Sequence, residues 1–253
     1  MRIQSIYAYR FRVALALLSL VLQIYLLRMV WTAVYAGQET VAGLSLGTLI
    51  TYLTLAQIQT WAIYPELAWE IEDRIRDGKV AIDLARPVPY LPQLLAQQAG
   101  STAGLLPLVA AALPLALLVG SLQPPASPMG GLLYLVSLVL AYLITVLIGL
   151  AIGLIAFWTL EFGGFMMMYS FVNAFFSGAL MPLTFFPPWL RTLAEVLPFQ
   201  TQAFLPISIY LGQLQGESAL RAIGVQVLWI ILLGSLVHVV WTRAMHRVIV
   251  QGG

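Results

Sequence analysis

The stretch GLLYLVSLVLAYLITVLIGLAIGLIAFW, residues 131–158, contains no Asp, Glu, Lys or Arg. About 20 consecutive apolar residues are enough for a helix to cross the hydrocarbon core of a bilayer. A run of this length therefore predicts a membrane-spanning helix. The rest of the chain has the same character: 61% of its 253 residues are hydrophobic and 9% are charged, whereas a soluble domain has about 25% charged residues. The sequence predicts an integral membrane protein.

Six apolar stretches are long enough to cross a bilayer, which predicts an all-α integral membrane protein with six transmembrane helices and no separate soluble domain. The run that begins at Val13 is too long for the apolar region of a signal peptide, so we interpret it as a retained first span. The six spans are expected at roughly 13–35, 45–69, 94–120, 131–158, 162–181 and 222–242. Small faces at which another helix can approach closely occur at Gly43-x-x-x-Gly47, Gly100-x-x-x-Gly104 and Gly149-x-x-x-Gly153.

The basic residues predict the orientation of the chain. Cytoplasmic flanks of spans are enriched in Lys and Arg, and an even number of spans places both termini on one side. With the termini in the cytoplasm, the basic residues on the inside are Arg2, Arg10, Arg12, Arg74, Arg76, Lys79, Arg86, Arg243 and Arg247. Arg191 and Arg221 then lie outside, and Arg28 falls within the first span. The sequence therefore predicts cytoplasmic N- and C-termini.

Two connections are longer than turns, and long connections tend to carry function. The first, residues 70–92, is predicted to be cytoplasmic and concentrates the charges of the chain in EIEDRIRDGKVAIDLARPVPYLP. The second, residues 182–221, is predicted to be an extracytoplasmic helical excursion before span six. It contains an amphipathic helix with Trp189 and Leu193 on its apolar face. We expect this helix to lie at the outer membrane interface.

Several kinds of chemistry are absent from the sequence. The chain has no Cys, which excludes disulfides, zinc–thiolate sites and cysteine nucleophiles. A P-loop needs Gly-Lys followed by Ser or Thr, but the single lysine, Lys79, is followed by Val80. His238 and His246 have no carboxylate between them and form no metal-binding motif. We therefore expect no catalytic residue, cofactor or metal in this chain, and the scattered basic residues argue against nucleic-acid binding.

Charged residues inside the spans are candidate functional residues, because burying a charge in a membrane costs at least about 2.5 kcal/mol. Arg28 has two open interpretations: its side chain snorkels outward or pairs with Glu39, or it lines a substrate path. On the fifth span, Met167 and Asn173 belong to an adaptable, slightly polar surface that suits apolar cargo, and ordinary helix packing is the alternative. The sequence places no carboxylate convincingly at the middle of a span, which disfavours proton-coupled transport.

Short motifs in order along the chain resemble those of type-two ABC exporter permeases. Glu72-x-Arg74-x-x-x-Gly78, followed by Leu84 and Arg86-Pro87-Val88, resembles the segment after the second span in that family. Leu197-Pro198-Phe199, Pro206 and Ile209-Tyr210-Leu211-Gly212 resemble the C-terminal signature of the subgroup encoded as one ATPase with two related permeases. Gly78-Lys79 stands where better-known exporters have Gly-Thr. The resemblance covers the whole chain.

The resemblance implies that residues 1–253 form a single transmembrane permease domain, and that separate ATPase subunits bind ATP and magnesium. In such exporters a short cytoplasmic coupling helix between spans two and three sits in a cleft of the ATPase. The N-terminal segment, here residues 1–12, is an amphipathic helix at the inner surface, where basic residues meet anionic lipid. The implied coupling residues are Ile71, Glu72, Arg74, Ile75, Arg76, Gly78 and Lys79. A solvated run of charges is the alternative.

We therefore expect the permease subunit of an ATP-binding-cassette exporter in the cell membrane of a prokaryote. It would pair with a second permease, identical or related, and move a hydrophobic or amphiphilic substrate outward. The candidate path passes spans one, two and five, through Tyr25, Arg28, Met167 and Asn173. The alternative is a secondary transporter or channel that acts without an ATPase, and a membrane enzyme or assembly factor is a further class.

Overall fold

The computed structural model describes the backbone of residues 2–63, 67–120, 122–159 and 162–251, and the side chains of residues 15–246 within these ranges except Leu108. Helices dominate this part of the chain. Two short strands, β1 (Thr40–Val41) and β2 (Leu44–Ser45), pair as an antiparallel hairpin. The helices are α1 (Arg2–Tyr35), α2 (Leu46–Ile63), α3 (Leu67–Arg76), α4 (Val80–Leu84), α5 (Tyr90–Gly120), α6 (Pro128–Ile155), α7 (Phe162–Phe176), α8 (Pro188–Val196), α9 (Phe204–Tyr210) and α10 (Glu217–Gln251).

Three of the described helices are long and apolar enough to cross a membrane: Leu15–Tyr35 within α1, Pro128–Ile155, and Glu217–His246 within α10. A fourth candidate is α5, whose halves Tyr90–Pro107 and Val109–Gly120 are bent by 47°. Pro107 lacks the amide hydrogen that would continue the helical ladder, and its ring clashes with the carbonyl one turn earlier, which accounts for the bend. The chain is a mostly helical, multi-pass membrane protein.

The second and fifth predicted spans are shorter in the structure than the sequence indicated, and they are not among those candidates. α2, Leu46–Ile63, has 18 residues, and α7 has 15 residues. α7 ends just before Gly178, which has a φ of 82° and accepts a hydrogen bond from the Tyr52 hydroxyl on its carbonyl at 2.9 Å. The described residues therefore confirm three to four of the six predicted spans as candidate membrane helices.

The predicted amphipathic segment at residues 1–12 leads directly into the first span. The backbone is helical from Arg2 and continuous to Tyr35. Met1 and the side chains of this segment lie outside the described residues, so its amphipathic character stays a prediction.

α6 is the central helix of the bundle. It contacts α3, α9 and α10, and Ile144, Leu150 and Leu154 of α6 are fully buried. α1 packs against α2 and α5 on another side. α3, α4 and the residues between them, 67–84, form what we call the charged segment. The close contact of α3 with the apolar α6 joins this segment directly to the middle of the fold.

The charged connection folds as two short helices, α3 and α4, rather than as one. α3 begins at Leu67, inside the predicted second span, and α5 begins at Tyr90, inside the predicted connection. Gly78 separates α3 from α4 with a φ of 70°, a left-handed conformation that glycine adopts without steric cost.

The predicted extracytoplasmic excursion has two parts with different surroundings. α8 is amphipathic, and its Trp189 and Val196 are exposed, as expected for a helix at an interface. The second part, residues 198–211, is largely buried within the helix bundle, including Thr201 and Ile207. We call residues 198–211 the re-entrant segment. This part packs against α2, α6 and α10, whereas the sequence predicted an interfacial position for the amphipathic helix alone.

Candidate functional site

The re-entrant segment carries polar groups deep into the bundle. Gln202 is 4% exposed. Gln59 of α2 donates its side-chain amide to the Gln202 carbonyl at 2.5 Å, and the hydroxyl of Thr145 of α6 donates to Gln202 Oε1 at 3.1 Å. Thr145 lies 17 residues beyond Pro128, which is about 26 Å along the axis of α6. The segment therefore reaches far from the end of the bundle at which α6 begins.

A third glutamine, Gln226 of α10, holds the same segment from the other side. Its amide donates to the carbonyls of Ser137 at 3.0 Å and Thr201 at 2.9 Å, and its oxygen accepts from the Ser137 hydroxyl at 2.8 Å. Irregular backbone at membrane depth is tolerated only where protein or water satisfies its polar groups. Gln59, Gln202 and Gln226, which we call the glutamine network, meet part of that requirement here.

Beside the glutamine network lies a cavity of about 520 Å³, a volume within the usual range of small-molecule sites, about 300–1,000 Å³. Its wall is built from α1, α2, α6, α7 and the re-entrant segment, together with Ala68 of α3. The wall is mainly apolar in area, and each described residue that lines it is uncharged. Its polar side chains are Gln23, Gln57, Thr60, Thr145, Tyr169, Ser170, Asn173, Ser177 and Gln202.

Two buried amide atoms in this wall have no hydrogen-bond partner among the described residues: Oδ1 of Asn173 and Nε2 of Gln202. Buried polar side-chain atoms are paired in the large majority of cases, since an unmade hydrogen bond costs free energy. Their placement on one cavity wall makes them candidates for contacts with a bound molecule.

Of the four residues predicted to line the substrate path, Asn173 lines the cavity. Arg28 instead donates to the carbonyl of Val119 at 2.6 Å, where its charge meets the negative end of the α5 dipole. Tyr25 and Met167 are exposed on the outside of their helices, and it is the buried neighbour Met166 that lines the cavity. The residues of α1 and α7 that line the cavity therefore differ from the predicted path residues, except for Asn173.

The charged segment is organised around Arg74. Its guanidinium contacts Glu70 of α3 at 2.9 Å, Asp83 of α4 at 2.5 Å and Gln97 of α5 at 2.9 Å. Burial lowers the pKa of Arg74, but the hydrogen bonds and charges of Asp83 and Glu70 outweigh that effect, and the pKa is raised overall. Arg74 therefore stays charged and holds α3, α4 and α5 together.

The other predicted coupling residues divide into an inner and an outer face of α3. Ile71 is fully buried against α6, and Ile75 is half-buried in the same core. Glu72 is mostly covered and pairs with Arg76 at 3.1 Å. Arg76, Gly78 and Lys79 are exposed. Lys79 lies 2.7 Å from Asp77 and lowers the pKa of that carboxyl through its hydrogen bond and its charge.

Sequence reasoning missed two sets of residues. The first is Ile82 of α4, which is 64% exposed. Its signal in the sequence was an apolar residue within a charged stretch. The second is the glutamine network. Its signal was the presence of isolated amides in apolar stretches, and Asn173 was the only amide among the predicted path residues.

Among the described residues, no cluster of three or more His, Asp or Glu side chains is placed to hold a metal ion. The long apolar helices, the uncharged cavity and the charged segment at one end define a multi-pass helical membrane protein. The model of the family described as ABC-2 family transporter protein matches residues 20–252, so the chain belongs to that family. This confirms the predicted class of ABC transporter permease and implies association with an ABC ATPase. No curated protein and no solved structure matches the chain.

Proposed function

We propose that this chain is the transmembrane permease subunit of an ATP-binding-cassette exporter in the cell membrane of a prokaryote. Separate ATPase subunits bind and hydrolyse ATP with magnesium, and a second permease, identical or related, completes the transporter. The substrate is hydrophobic or amphiphilic and moves outward. The observation that carries the proposal is that α3 touches both α6 and the cavity, since a motor docked on the charged segment then acts directly on the cavity wall.

The docking surface for the ATPase is the outer face of α3 and α4. It presents Asp73, Arg76, Lys79 and Ile82, all exposed. An exposed apolar side chain in a segment that also exposes charges of both signs suits a partner surface, since interfaces combine an apolar core with a polar rim. Ile71 and Arg74 stabilise this surface without belonging to it. Ile71 packs α3 against α6, and Arg74 links α4 to α3.

The contact between α3 and α6 transmits movement of the docked ATPase. A Cβ added at Gly153 of α6 would lie 2.7 Å from Ile71 Cδ1 and 3.1 Å from the Cα of Ala68, so the helices meet at nearly the closest possible approach. Ala68 also lines the cavity. A tilt of α3 under load therefore shifts α6 and the cavity wall together, because packed helices move as rigid pieces.

The proposed topology has six spans and cytoplasmic termini. Up to four of the six proposed spans are the candidate membrane helices. The other two are α2 and α7, as short spans inside the bundle. The charged segment then lies in the cytoplasm and α8 lies outside. The distribution of Lys and Arg supports this orientation, as cytoplasmic flanks carry the excess of basic residues.

The test is co-purification of the permease from membranes with an ABC ATPase, sought first among the products of neighbouring genes. The triple variant Arg76→Glu, Lys79→Glu, Ile82→Asp changes the docking surface and leaves Ile71 and Arg74 intact. The control, Arg191→Glu, Arg221→Glu, Val196→Asp, makes the same kinds of change at exposed positions of the opposite end. We expect the docking variant to lose at least nine-tenths of the bound ATPase, on the order of 1.4 kcal/mol in binding, and the control to keep it.

Full ATPase association of the docking variant would refute the docking surface. Transport by the purified permease alone, without ATP and down a substrate gradient, would replace the exporter by a secondary transporter or channel.

A further inference from the structure

We infer that the cavity binds the uncharged polar headgroup of an amphiphile, a hydroxyl or amide group, between Gln202 and Asn173, with the alkyl part of the molecule along α1. This inference rests on the proposed transport function and names the substrate class. The two side chains come from different parts of the chain, α7 and the re-entrant segment, and both line one cavity.

Gln202 lines the cavity, and one atom of its amide has no partner among the described residues whichever way the amide is turned. Thr145 is its side-chain partner, at 3.1 Å from Oε1, and Nε2 has no partner among the described residues. If the amide is rotated by half a turn, Nε2 donates to the Thr145 hydroxyl oxygen and Oε1 becomes the unpaired atom. Gln202 is 4% exposed and this amide atom is covered by its neighbours, so a group bound in the cavity pairs with it once the side chain rotates slightly toward the cavity.

Asn173 supplies the second contact. Its Oδ1 is buried without a partner among the described residues, whereas the neighbouring Ser170 already donates its hydroxyl to the Met166 carbonyl at 2.8 Å. An amide carries both a donor and an acceptor, and the way each amide is turned decides which of its atoms is unpaired, so the ligand must be able both to donate and to accept. A hydroxyl or an amide does both, whereas a carboxylate only accepts and an ammonium only donates.

The charge of the wall favours the same class of headgroup. The described lining residues carry no charge, and a buried charge without a partner is strongly disfavoured in a membrane. Leu26, Leu27 and Val30 form an apolar strip of α1 along the cavity, which suits an alkyl chain. The polar pair and the apolar strip together match an uncharged amphiphile.

The test is photo-crosslinking of the permease in lipid nanodiscs with three probes that share one diazirine-bearing dodecyl chain. The probes are a glycerol monoester, a fatty acid and an alkyl trimethylammonium, and labelled peptides are mapped by mass spectrometry. We expect the glycerol ester to label α7 and the re-entrant segment at least tenfold more than either charged probe. Gln202→Met and Asn173→Leu should each lower that labelling about fivefold to tenfold, as loss of one hydrogen bond does.

The control is Gln98→Met, a change at an equally buried glutamine of α5 that does not line the cavity, and it should leave labelling unchanged. Asn173→Leu should keep or raise the melting temperature, because it removes an unpaired polar atom; a merely structural asparagine would lower it. Asn173→Asp adds a negative charge to the cavity wall, so the cationic trimethylammonium probe should now give the strongest labelling.

Equal labelling by the three probes, or labelling unaffected by these variants, would overturn the inference. ATPase co-purification is measured on the same samples. If it persists while the probes fail to discriminate, the cavity assignment alone is refuted. If selective labelling persists while the ATPase never associates, the proposed exporter function fails and the binding site remains.

Discussion

Replacement of Gly153 by Ala perturbs the α3–α6 contact with a single methyl group. The added Cβ would meet Ile71 Cδ1 at 2.7 Å and the Cα of Ala68 at 3.1 Å. The first atom is on a side chain that can rotate, but the second is backbone, so α3 has to move away from α6. Overpacking of this kind costs about 1–3 kcal/mol, and Ala recovers up to about 1 kcal/mol through its higher helix propensity. The expected net loss is about 1–2 kcal/mol.

Thermal unfolding of the purified permease in nanodiscs measures this loss through tryptophan fluorescence. For a chain of this length, 1 kcal/mol shifts the melting temperature by about 2–4 °C, so Gly153→Ala should lower it by about 2–8 °C. The control is Gly224→Ala in α10, where no described atom lies within 4 Å of the added Cβ. The control should match or exceed the wild-type melting temperature.

A second variant, at Ile71, tests the contact with Gly153 directly. Ile71→Val removes Cδ1 and by itself costs about 0.5–1.5 kcal/mol. Combined with Gly153→Ala, it should cost less than the sum of the two single changes by at least about 0.5 kcal/mol, because the variants share one contact. Strict additivity, or a Gly153→Ala protein as stable as Gly224→Ala, would show that α3 does not pack on α6 as described.

Three further predictions concern the charged segment, the glutamine network and the topology. Arg74→Gln leaves the Asp83 carboxylate, 4% exposed, without its main partner. This change should destabilise the charged segment by about 1–3 kcal/mol, measured as faster amide exchange in α4. The control, Arg86→Gln, changes an exposed partner of Asp83 and should cost less than about 1 kcal/mol. Gln226→Leu strips the Ser137 and Thr201 carbonyls of their donor and should lower the melting temperature by an amount equivalent to about 1–3 kcal/mol, with the partly exposed Gln57→Leu as control. Because the chain has no Cys, an impermeant maleimide should label Ile82→Cys in inverted vesicles alone and Trp189→Cys in right-side-out vesicles alone; the opposite pattern would reverse the proposed topology.

The sequence was most informative where a single physical effect dominates. The apolar run at residues 131–158 predicted α6 because nothing competes with burial over such a length. α2 and α7 are not among the candidate membrane helices, for reasons of two kinds. The amides Gln57 and Gln59 lower the hydropathy of α2 and are visible in the sequence. The end of α7 near Gly178 involves a hydrogen bond from Tyr52, 126 residues away in the chain, which no local pattern reveals.

The site was less predictable because it depends on long-range packing. The i, i+4 spacing of Ile71 and Ile75 is enough to place them on one face of a helix, but the surface that covers this face, α6 at Gly153, depends on tertiary packing. Local hydropathy likewise cannot separate a helix at the interface from the re-entrant segment, since both are moderately apolar. That distinction depends on the pairing of Gln202 with Gln59 and Thr145, residues distant in sequence.

Docking of the ATPase on α3 and α4 is tested most directly by site-specific crosslinking in the assembled complex. Lys79→Cys, carrying a benzophenone maleimide, should crosslink to the ATPase subunit on illumination, and Val196→Cys, treated identically on α8, should not. Both positions are exposed, so access of the reagent does not distinguish them. A co-purified ATPase that crosslinks to position 196, or to neither position, would contradict a motor docked on the charged segment.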